Sequence, residues 1–405
     1  MAGTRTLEEL LAIHSEKYEI SVIGEENFGN YNRIMLSPVL AGEKTIDNIM
    51  LNDEAWYRQN NITFYKGERA IRIDRNKRRV MTTGNREIPY DRLVLATGSV
   101  PVRIPVPGHD LKNVLTFRHI NDVNTMLELS GRKQHAAVIG GGLLGLEAAN
   151  GLRKQGMKVT VVHAFDSLLN RQLDKTAARL LQQSLEEKGI EFVMGAMTAA
   201  IEGNEQGEVE RLQFKDGTHL DVDMVVMATG VKPNIELAKN SGLQCDRGIL
   251  VNDVLQTFDP AIYAVGECIQ HRGQLFGLVA PTYEQARVCA NHLAEMGIAR
   301  YIQTAQATQL KITGIHAFSA GVFDNAEGGE EITFFDQAMG HYKKLVIKDN
   351  TLVGAVLYGD TQDGGWFFEL IQQQTDISAI RDQLIFGKDF CTGAQQDPEH
   401  LPEAA

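Results

Sequence analysis

The sequence predicts an α/β protein with two dinucleotide-binding βαβ units, followed by a C-terminal α+β domain. Three observations predict this fold class. A glycine-rich turn lies between an apolar strand and a helix within residues 136–163. A strand that ends in Ala-Thr-Gly occurs twice, at residues 96–98 and 228–230. From Gln309 onwards the sequence becomes rich in strands, with predicted strands at 310–313 and 331–335 and a hairpin at 342–358 that turns at Asp349-Asn350. Two short helices are predicted after them, near 364–374 and 377–384.

The central βαβ unit is the clearest of these features. The apolar strand 137–139 leads into Gly140-x-Gly142-x-x-Gly145, after which come a segment with helical periodicity and a return strand at 159–162. Further strands are predicted near 191–202, 208–214 and 219–221. Gly140 permits the tight turn, Gly142 lets backbone N–H groups approach a pyrophosphate, and Gly145 lets helix and strand pack closely. The phosphate would lie at the positive start of the helix.

A second, incomplete unit lies at the N-terminus. Residues 4–14 are predicted to form an amphipathic helix, and residues 18–26 a strand with an acidic end. Met1-Ala2-Gly3 is typical of the end of a glycine-rich turn, with Gly3 as its third glycine. We therefore expect the chain to start inside a dinucleotide-binding motif whose first strand is missing. Because both units precede a strand ending in Ala-Thr-Gly, they form an internal repeat.

Length and charge limit the classes of function. A chain of 405 residues is long enough for two or three domains. Its net charge of −12, with acids and bases interspersed, disfavours a nucleic-acid or anionic-membrane surface. No apolar run is long enough to span a membrane, and the N-terminal helix lacks the apolar core of a signal peptide. We expect a cytoplasmic protein that binds neither nucleic acid nor membrane.

The cysteines predict no metal or disulfide site. The four of them, Cys245, Cys268, Cys289 and Cys391, are widely spaced and form no C-x-x-C pair. That spacing provides no zinc ligands, no cluster ligands and no disulfide framework. None of them precedes residue 245, so the N-terminal half contains no thiol for redox chemistry.

The repeat resembles the two-dinucleotide-binding-domain flavoproteins of the glutathione-reductase-like superfamily. The resemblance covers residues 1 to about 305. It implies two Rossmann-like domains, one for FAD at 1–110 and 235–305 and one for NAD(P) at 111–234. The C-terminal α+β domain would then occupy 306–386, and the polar tail 387–405 is expected to be loose.

The same resemblance implies the residues that contact FAD. In that family a strand ending in Gly-Asp touches the flavin ribitol, and this chain has Gly266-Glu267, whose side chain is one methylene longer. The helix predicted at 282–296, after Pro281, would stabilise the reduced flavin through its N-terminus. Glu25, with Glu26 as the alternative, would accept from the adenosine ribose. The other implied FAD positions are Gly3, Arg33 near the diphosphate, Ser37, Ala70, Thr97 and Gly98.

Simpler explanations exist for several of these positions. Glu267 could cap a turn, Glu25 could be a solvated strand end, and the helix after Pro281 could serve packing alone. Related ferredoxin reductases have Leu-Ser-Lys in the loop where this chain has Ser37-Pro38. That lysine contact is therefore lost, and Lys44 is the remaining substitute.

The choice of nicotinamide nucleotide stays open. An NAD-selective unit ends its second strand in Asp or Glu, which holds the ribose 2′-hydroxyl. Here His163 occupies that position, and Asp166 follows three residues later. A histidine does not repel a 2′-phosphate, so both NADH and NADPH remain candidates. The predicted NAD(P) positions are Gly140, Gly142, Leu143, Leu144, Gly145, His163 and Gly230.

A closer resemblance narrows the branch. The segments 263–281 and 352–360 are similar to those of the large subunits of assimilatory NAD(P)H nitrite reductases, and the similarity extends over residues 1–386. In that family, iron–sulfur and sirohaem modules follow the flavin module. The resemblance implies hydride transfer from NAD(P)H to FAD, then single electrons to an iron–sulfur/sirohaem nitrite-reducing module or a small electron-carrier protein.

The oligomeric state stays open, and a homodimer is one candidate. Two alternative functions also remain. One is a stand-alone rubredoxin or ferredoxin reductase with the same flavin chemistry. The other is a non-catalytic nucleotide-binding fragment, unable to retain FAD because two glycines and one strand are missing.

Overall fold

The structure is a computed structural model, and it describes residues 1–310, 312, 314–324 and 328–392. The helices in this part are α1 (Ala2–Ile13), α2 (Leu36–Leu40), α3 (Glu54–Gln59), α4 (Ile120–Ser130), α5 (Leu143–Lys154), α6 (Lys175–Glu187), α7 (Glu236–Asn240), α8 (Val279–Leu293), α9 (Gly364–Gln373) and α10 (Lys388–Thr392). Short 3₁₀ turns lie at Arg33–Met35, Asp47–Ile49 and Leu384–Phe386.

Fourteen strands begin before residue 200, and seven of them follow one another between α3 and α4. They are β1 (Ser21–Gly24), β2 (Asn30–Tyr31), β3 (Met50–Asn52), β4 (Thr63–Lys66), β5 (Ala70–Asp74), β6 (Arg79–Thr82), β7 (Glu87–Pro89), β8 (Leu93–Leu95), β9 (Ser99–Pro101), β10 (Val114–Thr116), β11 (His135–Ile139), β12 (Lys158–His163), β13 (Ile190–Met194) and β14 (Thr198–Gly203).

The later strands are β15 (Val209–Phe214), β16 (His219–Asp221), β17 (Met224–Met227), β18 (Val231–Pro233), β19 (Ile249–Val251), β20 (Ile262–Ala264), β21 (Ile269–His271), β22 (Gln274–Leu275), β23 (Ala307–Gln309), β24 (Ala317–Gly321), β25 (Glu330–Asp336), β26 (His341–Lys348) and β27 (Thr351–Tyr358).

The chain divides into two compact units. Unit 1 comprises Met1–Ile104, Leu115–Glu128 and Thr229–Gln303. Unit 2 comprises Pro105–Val114, Leu129–Ala228 and the chain from Thr304 onwards. The three-domain boundaries given above remain a prediction.

Unit 1 contains a parallel sheet in two separate pieces. β1 pairs with β4, and β8 pairs with β20, each in parallel. Among the described residues, no ladder joins β1 to β8. Residues 22–24 of β1 are only half-buried, whereas all four residues of β17 in unit 2 are buried. Since parallel strands normally lie buried within a continuous sheet, β1 has the exposure of an edge strand.

Helix α1 covers this region of unit 1. It begins at Ala2, two residues before the predicted start, and buries Thr6 and Leu10 against α8. A Cβ added at Gly3 would lie 2.9 Å from the Cβ of Ala96, just past the end of β8. Gly3 therefore allows a close approach of helix and strand, which is the packing role expected of a third motif glycine.

Helix α8 starts earlier than predicted. It covers Val279–Leu293, so Pro281 lies in its first turn and the predicted 282–296 is displaced by three residues. Proline is tolerated there because a first-turn N–H has no intrahelical acceptor. Pro281 is therefore part of the helix. The prediction, which started the helix after Pro281, missed the first residues of α8.

Unit 2 contains the predicted central βαβ unit. Four of its parallel strands run in the order β17-β11-β12-β13, and α5 packs on β11 and β12. This order places the end of β11 beside the end of β17, where the sheet reverses its direction of winding. Ligands of open α/β sheets bind at such a point. The predicted strand 191–202 is two strands, β13 in this sheet and β14 in an antiparallel sheet with β15 and β16.

The C-terminal part of unit 2 is an antiparallel sheet covered by a helix. The order is β23-β24-β27-β26-β25, and α9 packs on β24 and β27. The predicted hairpin turn at Asp349-Asn350 is present, with φ of 49° and 55° at these two residues. Such left-handed values suit asparagine and aspartate and are typical of a two-residue hairpin turn.

Three C-terminal predictions need correction. The predicted strand 310–313 is instead β23 at Ala307–Gln309, and residues 311 and 313 lie outside the described part. The predicted helix 377–384 is a series of turns that ends in the 3₁₀ turn Leu384–Phe386. The start of the predicted loose tail is helix α10, whose Lys388 N–H donates to Asp363 Oδ1 at 3.1 Å. The tail prediction for residues 393–405 lies outside the described residues.

Candidate functional site

The turn between β11 and α5 has the geometry of a phosphate cradle. Gly140 has φ of 125°, a value that residues with side chains rarely adopt. A Cβ on Gly145 would lie 2.0 Å from the carbonyl oxygen of Gly140, whereas a Cβ on Gly142 would meet nothing within 4 Å. Gly145 is therefore required by packing, and Gly142 is open to a ligand.

The start of α5 supplies unpaired donors to this cradle. Gly142 is the N-cap and has no side chain with which to cap the helix. The first-turn N–H groups, including those of Leu143 and Leu144, have no acceptor inside an α-helix. Together with the helix dipole they form an anion site.

His163, at the end of β12, contacts this turn directly. It is 8% exposed, and its Nδ1 accepts a hydrogen bond from the Gly141 N–H at 3.1 Å. Its Nε2 lies 3.2 Å from the carbonyl oxygen of Ser167. Burial lowers the pKa of His163, against a smaller opposing effect of the Ser167 carbonyl. Both ring nitrogens are therefore used by the protein's own backbone, which the sequence did not indicate.

Gly230 belongs to unit 1, whereas the other predicted NAD(P) positions belong to unit 2. It has φ of 113°, and its carbonyl oxygen accepts from the Val102 N–H at 2.9 Å. A Cβ on Gly230 would meet nothing within 4 Å. Its assignment to the NAD(P) site remains a prediction.

Unit 1 contains a second cluster, around the start of α1. Burial and Arg33 lower the pKa of the Met1 amino group to about 6; Arg118 acts in the same direction, and Glu26 and Glu267 oppose it. These four side chains therefore lie around the start of the helix. Like α5, α1 has no side-chain cap. The cluster combines a helix dipole with two guanidinium groups, which suits a diphosphate.

Glu26, and not Glu25, is the half-buried carboxylate of this cluster. It accepts from Arg33 at 2.6 Å and from the Tyr31 hydroxyl at 2.7 Å, and His119 Nδ1 lies 3.2 Å away. Burial alone would raise the pKa of Glu26, but the His119 and Tyr31 hydrogen bonds and the Arg33 charge lower it to about 2. Glu25 is exposed, directly after β1, where it lies 4.0 Å from Arg69.

Arg33 is held by several groups at once. Besides Glu26, it donates to the Arg118 carbonyl oxygen at 2.6 Å, and its guanidinium lies 5.0 Å from the centre of the Tyr31 ring. These contacts fix its position near the start of α1. The predicted role of Arg33 beside a diphosphate is compatible with that position.

The Gly266-Glu267 pair lies in the same cluster. Gly266 has φ of 92°, and a Cβ there would lie 3.0 Å from the Cβ of Ala2. Glu267 accepts from Ser99 Oγ at 2.8 Å and pairs with Arg118.

Three residues of this cluster were missed from the sequence: Ser99, Arg118 and Gln285. The Gly266 N–H donates to Oε1 of Gln285, which is fully buried on α8, at 2.8 Å. Arg118 follows a short strand and has no neighbouring motif, so only its position one residue before His119 in a charged segment could have drawn attention to it. Ser99 follows the first Ala-Thr-Gly and was the most accessible to prediction.

The other predicted FAD positions are more dispersed. Gly98 has φ of 65°, and a Cβ there would lie 3.6 Å from an Arg118 guanidinium nitrogen, so it borders the cluster. Thr97 donates through Oγ1 to the Asn234 carbonyl oxygen at 2.6 Å. Ser37 is buried in α2, and Ala70 begins β5 and is half-buried. The FAD roles of Ser37 and Ala70 remain predictions.

The residues present fit the two predicted nucleotides to different degrees. The β11–α5 turn fits completely, because its glycines, open backbone and uncapped helix are all present. The α1 cluster fits FAD in its charged groups, because its two guanidinium groups suit a diphosphate. The Nε of Arg118 is buried and has no partner among the described residues, so it is available to a ligand. The sheet beneath α1, however, is in two pieces.

The thiols of the chain are poorly suited to redox chemistry. Burial raises the pKa of all four cysteines, so little thiolate forms near neutral pH. All four are free. Cys268 and Cys289 are fully buried.

The described residues contain neither a membrane-spanning helix nor a cluster of metal ligands. None of the helices in that part is long and apolar enough to cross a membrane. No group of three or more His, Cys, Asp or Glu side chains there could hold a metal ion.

The fold and the two uncapped helix starts define a protein with one complete dinucleotide-binding βαβ unit around α5 and a second, incomplete one that begins with α1, as predicted. Residues 1–292 match the pyridine nucleotide-disulphide oxidoreductase family, and residues 307–375 match the rubredoxin NAD+ reductase C-terminal domain. The chain belongs to the pyridine nucleotide-disulphide oxidoreductase family. Its predicted fold class is confirmed, and the predicted cofactors, FAD and NAD(P)H, are those of the reductases that share it.

Relatives with described roles support the closer resemblance. The chain is 49% identical to a nitrite reductase [NAD(P)H] of Bacillus subtilis, over 93% of this chain and 47% of the relative. It is 46% identical to an assimilatory nitrate reductase electron transfer subunit of the same organism, over 95% and 50%. The chain thus spans about half the length of these relatives.

One solved structure matches this chain over nearly the full length of both proteins. The NADH:rubredoxin oxidoreductase from Clostridium acetobutylicum is 26% identical, has a TM-score of 0.77, and matches over 97% of each chain. The similarity to nitrite reductase large subunits is confirmed, and so is the similarity to reductases of small electron carriers.

Proposed function

We propose that this chain is the electron-input module of an NAD(P)H-dependent nitrite-reducing system. It would take electrons from NAD(P)H through FAD and pass them to an iron–sulfur acceptor. One observation carries the proposal. Helices α1 and α5 both begin without a side-chain cap, and each contains a glycine, Gly3 or Gly145, at which an added Cβ would clash with a neighbouring residue.

Bound FAD would accept a hydride from the nicotinamide and release single electrons, which is the chemistry that the protein side chains cannot supply. The chain's own residues bind and orient. The α5 cradle would hold the pyrophosphate of NAD(P)H, and the α1 cluster would hold that of FAD through Arg33 and the helix start. Orientation, not acid–base catalysis, would account for most of the acceleration.

The α8 helix has an electrostatic task in this proposal. Gln285 ties it to the Gly266 N–H, so its first turn is fixed relative to the Gly266-Glu267 strand end. The α8 start has no side-chain cap and includes Pro281, which has no N–H. The remaining N–H groups would stabilise negative charge on a reduced flavin.

Electrons would leave without a thiol relay. A disulfide reductase needs a reactive thiolate, and burial raises the pKa of every thiol in this chain. The remaining route is single-electron transfer to a partner. We propose that this partner is an iron–sulfur/sirohaem nitrite-reducing module and that the protein is located in the cytoplasm. Sedimentation of the purified chain would decide between a monomer and a homodimer.

The test is an acceptor assay with the full chain. We expect NAD(P)H-dependent reduction of ferricyanide and no reduction of nitrite by the chain alone, because nitrite reduction needs the partner module. Reduction of nitrite by the isolated chain would contradict the module assignment. Failure to reduce either acceptor, with FAD supplied in excess, would contradict the oxidoreductase itself.

Two observations favour other candidates. The match of residues 307–375 to the rubredoxin NAD+ reductase C-terminal domain favours a stand-alone reductase of a small carrier. A faster rate with rubredoxin than with a nitrite-reducing module would establish that candidate. The divided sheet beneath α1 favours a nucleotide-binding protein that does not retain FAD. In that case the purified protein would be folded, colourless and unaffected by added FAD.

A further inference from the structure

The imidazole of His163 connects two backbone segments that form the wall of the α5 cradle. Its Nδ1 accepts from the Gly141 N–H at 3.1 Å, inside the glycine-rich turn. Its Nε2 lies 3.2 Å from the Ser167 carbonyl oxygen, in the loop after β12. A Cβ on Gly141 would lie 2.9 Å from the His163 ring, so turn and ring are in close contact.

These two contacts determine the state of the ring. The Gly141 N–H can only donate, so Nδ1 must carry a lone pair. The Ser167 carbonyl can only accept, so Nε2 must carry the proton. A second proton on Nδ1 would face the Gly141 N–H and break that hydrogen bond. The contacts are therefore compatible with the neutral ring alone.

We propose that His163 is a positioning residue that holds the glycine-rich turn in its nucleotide-binding shape, and that it makes no hydrogen bond to the nucleotide through its ring. The proposal rests on NAD(P)H binding at the α5 cradle, as proposed above. The Gly141 N–H points at the ring and not at a phosphate, so the neighbouring Gly142 and the start of α5 are left to face the ligand.

The proposal changes how the nucleotide is selected. An acidic residue at the end of the second strand would hold the ribose 2′-hydroxyl and repel a 2′-phosphate. His163 does neither, because both of its nitrogens are occupied by backbone groups. It therefore supports binding of NADH and NADPH equally, and any preference between them comes from other residues.

Few charged groups on the elements around His163 could produce the same pH dependence by their own titration. In the loop and helix after β12, Asp166 and Lys175 lie 3.8 Å apart, and both are exposed. On the neighbouring strand β13, Met194 lies opposite His163, whereas Glu191 lies opposite Thr160 and pairs with Lys158, at the other end of β12, at 3.0 Å. On α5, Glu147 is buried.

The proposal predicts a pH dependence with a definite sign. Burial lowers the pKa of His163 from its ordinary value of 6.5. The ring therefore stays neutral and holds the turn down to a pH below 6.5, and the turn is released only as the pH falls through the lowered pKa. Nucleotide affinity should be constant above pH 6.5 and weaken as the pH falls through that lowered pKa.

Substitutions separate positioning from direct contact. His163→Asn offers an amide oxygen near the position of Nδ1 and does not titrate, so we expect near wild-type affinity for both nucleotides and no weakening below pH 6.5. His163→Phe keeps a ring and leaves the Gly141 N–H unpaired, so we expect about tenfold weaker binding of both NADH and NADPH. Asp166→Asn is the control for nearby charge and should keep the pH dependence of wild type.

The experiment combines binding titrations with NMR of the free protein. Affinities of the full chain for NADH and NADPH are measured from pH 5 to 8 by calorimetry. In protein without nucleotide, the Gly141 amide and the His163 ring nitrogens should shift together with one apparent pKa, and the ring should be in the Nε2–H form. The NMR result does not depend on nucleotide binding, so its success with no binding would contradict the proposed function alone.

Three results would overturn the proposal. Independent titration of Gly141 and His163 would show that the ring does not hold the turn. A changed ratio of NADH to NADPH affinity in His163→Phe would show that the ring reads the ribose directly. Loss of the pH dependence in Asp166→Asn would assign it to the loop carboxylate.

Discussion

Two glycines of the α5 turn offer a sharp test, because the same substitution should act differently at each. A Cβ on Gly142 would meet nothing within 4 Å, whereas a Cβ on Gly145 would lie 2.0 Å from the Gly140 carbonyl oxygen. We therefore predict that Gly142→Ala affects nucleotide binding alone. Gly145→Ala should affect the stability of the protein as well.

The magnitudes follow from these distances. At Gly145 the obstacle is backbone and cannot rotate away, so overpacking should exceed the gain in helix propensity. We expect the free energy of unfolding to fall by about 2 kcal/mol. Gly142 has φ of −85° and ψ of 176°, which alanine adopts readily. Its replacement loses a good N-cap and gains chain stiffness, so we expect a change of at most about 0.5 kcal/mol.

The effect of Gly142→Ala should appear in binding. Its methyl group would stand between a phosphate and the first-turn N–H groups, and a hydrogen bond to a charged group contributes about 1.5–3 kcal/mol. We expect NAD(P)H affinity to fall at least about tenfold. Urea unfolding measures the first quantity and calorimetric titration the second.

Either of two results would refute this reasoning. Normal nucleotide affinity in Gly142→Ala would show that the open face of the turn does not contact the nucleotide. Unchanged stability in Gly145→Ala would show that helix and strand are not in close contact there. Gly365→Ala in α9 checks for effects of glycine replacement in general, because Gly365 is exposed, has no left-handed backbone and has no atoms within 4 Å of an added Cβ.

Further predictions concern stability, pH and the thiols. Tyr342→Phe removes the hydrogen bond of 2.6 Å to Asp174, and urea unfolding should show a loss of about 1–2 kcal/mol; wild-type stability would mean that this bond contributes nothing. Because the pKa of Glu26 is lowered from 4.5 to about 2, its contribution is present above pH 4.5 and is lost as the pH falls towards 2. Glu26→Gln should flatten this part of the stability profile, and an unchanged profile would assign the acid sensitivity elsewhere. Alkylating agents should label the native thiols far more slowly than those of the unfolded chain, and fast labelling of native protein would contradict their burial.

The sequence predicted the features that have a strong local signal. The glycine-rich turn is one, since its spacing reflects backbone geometry at Gly140 and packing at Gly145. The hairpin turn at Asp349-Asn350 is another, because left-handed backbone favours these residue types. Both were located to the residue.

The misses have a common physical origin in contacts between distant segments. The strand predicted at 191–202 is two strands in different sheets, and hydrophobic pattern does not say which neighbour a strand pairs with. The predicted helix 377–384 is a series of turns. The helix α8 begins two residues before Pro281, so a prediction that starts the helix after proline misses its start.

The site was predicted less completely than the fold. Arg118 pairs with Glu267 across 149 residues of sequence, and Gln285 binds Gly266 across 19, so no motif links either pair. His163 was expected to replace a ribose-binding carboxylate, and only its contacts with Gly141 and Ser167 show that both nitrogens are occupied. Such roles depend on which groups meet in three dimensions.

The central claim is that electrons pass from NAD(P)H to flavin in this chain without a thiol. The most direct measurement is the visible spectrum of the full chain, with every accessible cysteine alkylated and with FAD present, before and after anaerobic addition of NADH or NADPH. We predict flavin absorption that persists through gel filtration and bleaches on adding the reduced nucleotide. Free flavin that separates from a folded protein, or bleaching that requires unmodified thiols, would contradict the claim.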